Sequence, residues 1–343
     1  MNSAVGLALI GLLFVGPLVS RLVEGQIEIF FLAVGLIAIT LAGTWRWEVV
    51  GHAAEEPIWI TLAVIVAGVV FDQLRGQMDR AMAPLRARVT RPILCAGALF
   101  TIALLSSVIT AIVAALVLVE TVGLLRLGSI ARLRVTVAGC FAIGLGASLT
   151  PLGEPLSTLA ADALGLGFGG LFALLASYVL PGMLACSIMA GFFVSSEAGE
   201  GAAPPVVFAQ VPLRESLAHS FIRGLKVYIF VAALVLISRA FADLALRYVP
   251  RLSREELFWA NTISAVMDNA TLVALEIHAM DPARAREAII ALLVAGGMLI
   301  PGNIPNIVAA AALRIGAGSW AKIGVPMGLL LLGIYFAVLE LAD

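Results

Sequence analysis

An all-α polytopic membrane protein is the fold class this sequence predicts, and three observations predict it. Of 343 residues 62% are hydrophobic and 13% charged, with a mean hydropathy of +1.08, more apolar surface than a soluble domain needs. The apolar residues fall into runs close to the ~20 residues required to cross a bilayer. Several runs are broken at their middles by Gly, Pro and single carboxylates, the mark of discontinuous helices. The expected architecture is a pair of inverted repeats with re-entrant hairpins and broken helices, about 8 spans plus 2 hairpins.

The same composition excludes several classes of function. A net charge of −1 and the lack of a basic run give no footprint for nucleic acid. Cys95, Cys140 and Cys186 are scattered through apolar runs and read as small buried hydrophobes. No haem, zinc or Walker signature is present, so no cofactor and no enzymatic activity are expected. The first twenty residues lack a basic n-region and read as a span rather than a cleaved signal.

In chain order, the runs at 3–20 and 27–45 give two N-terminal spans within 1–55, the second ending at the interfacial Trp45 and Trp47. The first repeat covers 56–195. Its scaffold span at 57–74 leads into the segment 76–92, where Arg75, Arg80, Arg86, Arg88 and Arg91, in or beside it, forbid crossing. That segment lies along the cytoplasmic surface, as an amphipathic stretch or as a solvated basic loop. The run 93–124 is too long for one upright helix and too short for two helices plus a turn. With Ser106, Ser107 and Thr110 at its middle it reads as a hairpin of two half-helices, a tilted span being the alternative. Residues 133–165 are interrupted by GLGAS, Pro151, Gly153 and Pro155, with Glu154 inside the break. A broken helix is expected there, a merely kinked one being the alternative. A span at 168–194 closes the repeat.

The polar, Pro-containing stretch at 196–214 is the inter-repeat linker. The second repeat, 215–343, offers a span at 217–245, a hairpin at 254–279, a broken helix at 282–316 and a span at 323–341. Ser253 and Glu256 form a capping-box pattern at the start of that hairpin. SSVITAIVAALVL from Ser106 matches SAVMDNATLVALE from Ser264, and GASLTPLGEPLSTLAA from Gly146 matches GGMLIPGNIPNIVAAA from Gly296. Non-crossing hairpins leave three crossings per half, and an odd number inverts one half relative to the other. Placing the loop after residue 75 in the cytoplasm puts 14 Lys/Arg inside and six outside, the orientation the positive-inside rule favours.

Asp268 and Asn269 lie in the middle of ISAVMDNATLVAL, residues 263–275. An ionised carboxylate in hydrocarbon costs roughly 3 kcal/mol on insertion scales, so it needs a partner, a proton or a cation. A neutralised Asp that only supports helix packing is the bland alternative. In the alignment Asp268 lies opposite Thr110 and Glu154 opposite Ile304, so each half supplies one carboxylate. Two carboxylates in one partly buried site cannot easily both be charged, which makes a proton and a small cation competitors for it. The candidate ion or substrate ligands are Asp268, Asn269, Ser264, Thr271, Glu154, Thr150, Ser107, Thr110, Asn303 and Asn306. Among them Asp268, Asn269, Thr150 and Glu154 are the sodium candidates. Packing or backbone capping serves equally well for Asn303 and Asn306. Glu120, Asp162 and Glu276 fall near expected helix ends and read as solvated or snorkelling groups. The expected partners are a monovalent cation, a proton and the lipid bilayer. No Arg or Lys lies near either break, which argues against an anionic substrate. The Y-D and G-x-G-D settings of an intramembrane aspartyl protease are absent.

These motifs resemble those of the ion transporter superfamily. SAVMDNATLVA at Ser264 is similar to the S-A-x-x-D-N signature of NhaD-type sodium/proton antiporters and arsenite permeases. GASLTPLGEPLS at Gly146 and PGNIPNI at Pro301 are similar to its paired Gly- and Pro-rich stretches. Over 56–343 the sequence looks most like the group of predicted cation transporters. The carboxylate pair points to sodium (or lithium)/proton antiport, a sodium-coupled anion symporter being the alternative, and the resemblance implies a scaffold and a mobile transport domain working by an elevator motion, and a homodimer. It also implies that 76–91 and 246–256 act as arms between the domains. Thr110 and Ala111 depart from the superfamily pattern, since the first hairpin lacks its acidic or amide pair. The expected location is a bacterial-type inner membrane.

Overall fold

The computed structural model describes residues 2–20, 22–23, 26–55, 57–58, 61–62, 89–125, 127–197, 217–277 and 280–342, with side chains except at 18, 217–220, 223 and 342. Most of the expected scaffold span at 57–74, of the surface segment at 76–92 and of the linker at 196–214 lies outside them. Among the described residues there is no strand.

Two helices open the chain, α1 (Ser3–Val19) and α2 (Ile27–Ala42). They are followed by α3 (Arg91–Ile109), α4 (Ala111–Leu124), α5 (Ser129–Ala147), α6 (Pro155–Ala163) and α7 (Gly170–Glu197). The second half contains α8 (Leu217–Tyr248), α9 (Arg254–Ala260), α10 (Asn269–Glu276), α11 (Pro282–Gly297), α12 (Ile304–Leu313) and α13 (Ala317–Ala342). Among the described residues five helices, α3, α5, α7, α8 and α13, are long and apolar enough to cross a membrane. The chain is a multi-pass all-α membrane protein.

Burial sorts the helices. α5 and α11 are buried along most of their length and pack against each other at the centre. By contrast α7 and α13 leave Phe172, Ile188, Phe192, Leu329, Leu330 and Ile334 exposed, the surface that hydrocarbon rather than water covers. α3, α5 and α7 form one tightly packed group, and α13 joins it through α11 and α5. The Tyr335 hydroxyl donates to the Tyr178 carbonyl at 3.0 Å and pins α13 to α7. The other group is the pair α2–α8, with α1 laid on α2. There Phe31 meets Phe230 at a ring separation of 5.2 Å, and Lys226 pairs with the buried Glu28 at 2.6 Å. The two groups meet where α8 touches α10 and α12, and where α1 touches α13.

Both expected hairpins and both expected helix breaks contain interruptions, at positions the Gly, Pro and polar residues mark. Between α5 and α6 the chain leaves the helix at 148–154. Between α11 and α12 it passes through a single 3-10 turn, Ile300–Gly302. The run 93–124 differs from two half-helices. α3 has 19 residues, about 28 Å at 1.5 Å per residue, which is a span's length. The reason is that the interruption consumes only one residue, Thr110, with φ 73° and ψ 150°, so no loop shortens the arm. The second hairpin is cut more finely, into the seven-residue α9, a 3-10 stretch Asn261–Ala265 and the eight-residue α10. Its entry carries the full capping box: Ser253 accepts from the Glu256 N–H at 3.1 Å, and Glu256 accepts from the Ser253 N–H at 2.8 Å.

Candidate functional site

Four helices start from these interruptions, and their N-cap residues are Thr110 for α4, Glu154 for α6, Asp268 for α10 and Asn303 for α12. The pieces are exchanged between halves: α4 packs on α12 and α6 packs on α10. The interruptions also touch directly. The Ala111 N–H donates to the Gly153 carbonyl at 2.8 Å, and the Thr150 hydroxyl donates to the Ser107 carbonyl. Ser106 donates to the Ile143 carbonyl at 3.1 Å, while Ser264 donates to the Leu292 carbonyl at 3.1 Å. In each half, then, a serine of the hairpin holds the end of the helix that breaks.

Close approach of backbones requires glycine at several places, Gly146 and Gly302 among them. A methyl group on Gly146 would collide with the Ala103 carbonyl, and one on Gly302 with the carbonyls of Gly296 and Ser264. The two breaks are similar but one residue out of register. Glu154 (φ −158°, ψ 162°) and Asn303 (φ −152°, ψ 162°) share a backbone conformation as N-caps, whereas the sequence alignment sets Glu154 against Ile304. The second break is shorter by that residue, which is why its prolines follow a shifted cap.

The carbonyls that broken helices set free are largely taken by the chain itself. Ser157 donates to Ala147 at 3.0 Å, and Thr158 to Pro151 at 2.6 Å. The Asn306 amide donates to Gly296 at 2.9 Å and to Leu299 at 2.7 Å. Of the ten candidate ligands, Ser264, Thr150 and Asn306 therefore use their donors to tie the interruptions together, whereas Ser107 spends its donor within α3, on the Leu104 carbonyl at 2.8 Å. Asn303 accepts from the Asn306 N–H at 3.1 Å as a cap. Thr110 is exposed and caps nothing with its side chain.

What remains unsatisfied is concentrated in acids and amides. Glu154 is 6% exposed, and its Oε1 has no hydrogen-bond partner. Asp268 lies close enough for its charge to act on Glu154. One oxygen of Asp268, Oδ2, accepts from the Thr271 N–H at 2.9 Å and the Thr271 hydroxyl at 2.8 Å. Asn269, next in the chain, is buried with an unpartnered Nδ2, and Asn306 has an unpartnered Oδ1. Buried polar atoms without partners cost about 1–3 kcal/mol each, and Glu154, Asn269 and Asn306 each carry one at the cap or in the first turn of a helix that starts from an interruption.

Glu276 corrects an expectation. It is not a solvated helix end but is 5% exposed, hydrogen-bonded to Asn261, with Oε2 unpartnered. The reason is that α10 is only eight residues long and starts inside the protein, so its C-terminus is still inside. Asp162 is exposed, as expected of a helix end. Among the described residues no three His, Cys, Asp or Glu side chains cluster as a metal site.

Residues 3–342 match the model of a family described as Protein of unknown function (DUF1646), and the chain belongs to that family. No curated protein sequence is significantly similar to it.

Proposed function

We propose that this protein is a secondary active transporter, a sodium (or lithium)/proton antiporter in which Asp268 and Glu154 take the cation and the proton in turn. The observation that carries the reading is the pair itself: two carboxylates at the N-caps of helices that pack together, with the charge of Asp268 within range of Glu154. One of them is buried with an oxygen that bonds to nothing. Two negative charges in such a site repel, and a proton or a hard monovalent cation relieves that repulsion equally well. The helix N-termini favour the carboxylates as anions, which supports release of the proton when a cation arrives. Asn269 and Thr150 complete the proposed oxygen and amide shell beside them.

In this reading the chain is an inverted repeat, and the exchanged packing of α4 on α12 and of α6 on α10 is its pseudo-twofold relation. The α2–α8 pair is the scaffold, the group around α5 and α11 is the moving part, and a homodimer of scaffolds in a bacterial-type cytoplasmic membrane is the working unit. A sodium-coupled anion symporter is the competing reading, favoured by four half-helix N-termini opening from neighbouring interruptions, a geometry that binds anions. Two of those N-termini already hold carboxylates of the chain, which leaves less for an anionic substrate. Purified protein in vesicles, given a pH gradient and then sodium, lithium, potassium or calcium, tests the proposal. Proton movement driven by sodium or lithium alone, lost in Asp268→Asn and in Glu154→Gln, is the expected result. Exchange undiminished in both variants, or none in the wild type, would sink it.

A further inference from the structure

We propose that Glu276, with Asn261, forms a second proton-holding site, at the opposite end of α10 from Asp268. The inference rests on the antiport reading for its use of the proton, but not for the proton itself. Glu276 and Asn261 are 5% and 1% exposed; α10, which ends in Glu276, packs against α6, α8 and α11, and the 3-10 stretch that begins with Asn261 packs against α11. Asn261 reaches the carboxyl group and also donates to the Ala288 carbonyl at 3.4 Å. The second carboxyl oxygen is enclosed and bonds to nothing.

The surrounding charges do not neutralise the group. On α6 Asp162 is exposed, and on α8 Lys226, Arg239, Asp243 and Arg247 are exposed. On α11 Arg284 donates to the Leu252 carbonyl at 2.9 Å, the Arg286 guanidinium sits 4.9 Å over the Tyr178 ring, and Glu287 is engaged by Arg254. Among the described residues Asn261 is the polar group that acts on Glu276. An enclosed carboxyl oxygen that no donor reaches is satisfied by a proton of its own.

Packing alone does not ask for this pair. At the matching positions of the first half stand Ala103 and Leu118, both fully buried, so the same helical arrangement is filled there without a polar atom. The polar pair occurs in the half that carries Asp268. From Asp268 to Glu276 is eight residues along one helix, about 12 Å. That distance suits a relay station on the way to the surface rather than a third ligand of the same ion.

Infrared difference spectroscopy of the purified full-length protein across pH tests the inference. One component of the protonated-carboxyl carbonyl absorption that disappears as pH rises, lost in Glu276→Gln and retained in Asp268→Asn and in Glu154→Gln, is expected. Glu276→Asp, which keeps the acid, should restore a titrating band at a shifted pH and so separates loss of the proton from loss of folding. In vesicles Glu276→Gln should shift the pH at which exchange is half-maximal, while sodium binding persists. A spectrum unchanged in Glu276→Gln, or a lost band with an unchanged pH profile of exchange, would overturn the proposal. Wild-type protein that shows the band without exchange would refute antiport and leave the proton site standing.

Discussion

Thr110 and Asp268 stand at the same place in two matching segments, and the chain treats them in opposite ways. Thr110 holds a backbone with φ 73° and caps α4 with nothing from its side chain. Asp268 has a relaxed φ of −62° and caps α10 through its carboxylate. The first half thus bears its cost in the backbone, at a β-branched residue that rarely adopts positive φ. The second bears its cost in charge, as an acid inside an apolar segment. On the antiport reading, the difference teaches that the two halves share a scaffold and divide the labour: the first fixes geometry, and the second carries most of the titratable chemistry.

If the shared scaffold depends on the glycine contacts, both halves fail alike when those contacts are filled. Gly146→Ala and Gly302→Ala each force a methyl group against carbonyl oxygens and should lower stability in detergent by about 3 kcal/mol, the upper range for overpacking. Gly97→Ala, at a position with open space around it, should leave thermal unfolding unchanged or raise stability by up to about 1 kcal/mol. A smaller loss at Gly302 than at Gly146 would mean that the shorter second break yields more easily.

The strain itself can be removed on one side only. Thr110→Gly should raise stability by about 1 kcal/mol, as an unfavourable backbone conformation is relieved against the added entropy of glycine in the unfolded chain. Asp268→Gly has no such strain to relieve and should not stabilise through the backbone. Denaturant or thermal titration of the two variants decides whether backbone strain belongs to the first half alone.

The hairpin entries differ more mildly. Ser253 is part of a complete capping box, and Thr90, which opens α3, makes no side-chain cap bond. Ser253→Ala should cost about 1 kcal/mol and Thr90→Ala only a few tenths, both read by thermal unfolding and both without loss of ion binding. Next to the same entry region, the Asp281 carboxyl is held below the usual carboxylate range by the Arg284 and Ala283 N–H groups it accepts from.

Much of this was legible in the sequence because the bilayer makes exceptions conspicuous. Asp268 and Glu154 stood out as acids in apolar runs, and Pro151, Gly153, Pro155, Pro301 and Pro305 marked where helices stop. In both segments a serine, Ser106 or Ser264, bonds a carbonyl of the helix that breaks, and those two serines were already aligned in the sequence. Glu276 was not legible, since proximity to a helix end signals exposure only when the helix end reaches the surface. The partnership of Glu154 with Asn303 was hidden by a one-residue difference in loop length, which alignment by proline spacing absorbs in the wrong place. The full length of α3 was hidden because a one-residue interruption at Thr110 carries no Gly or Pro.

The most direct test of the division of labour is whether sodium binding displaces a proton from the carboxylate pair. Calorimetric titration of the purified protein with sodium, in two buffers of different ionisation enthalpy, reads that proton as a buffer-dependent heat. Proton release with sodium in the wild type, no sodium binding in Asp268→Asn and normal release in Thr110→Ala are the results predicted. Sodium heats that do not depend on the buffer, or binding that survives unchanged in Asp268→Asn, would contradict it.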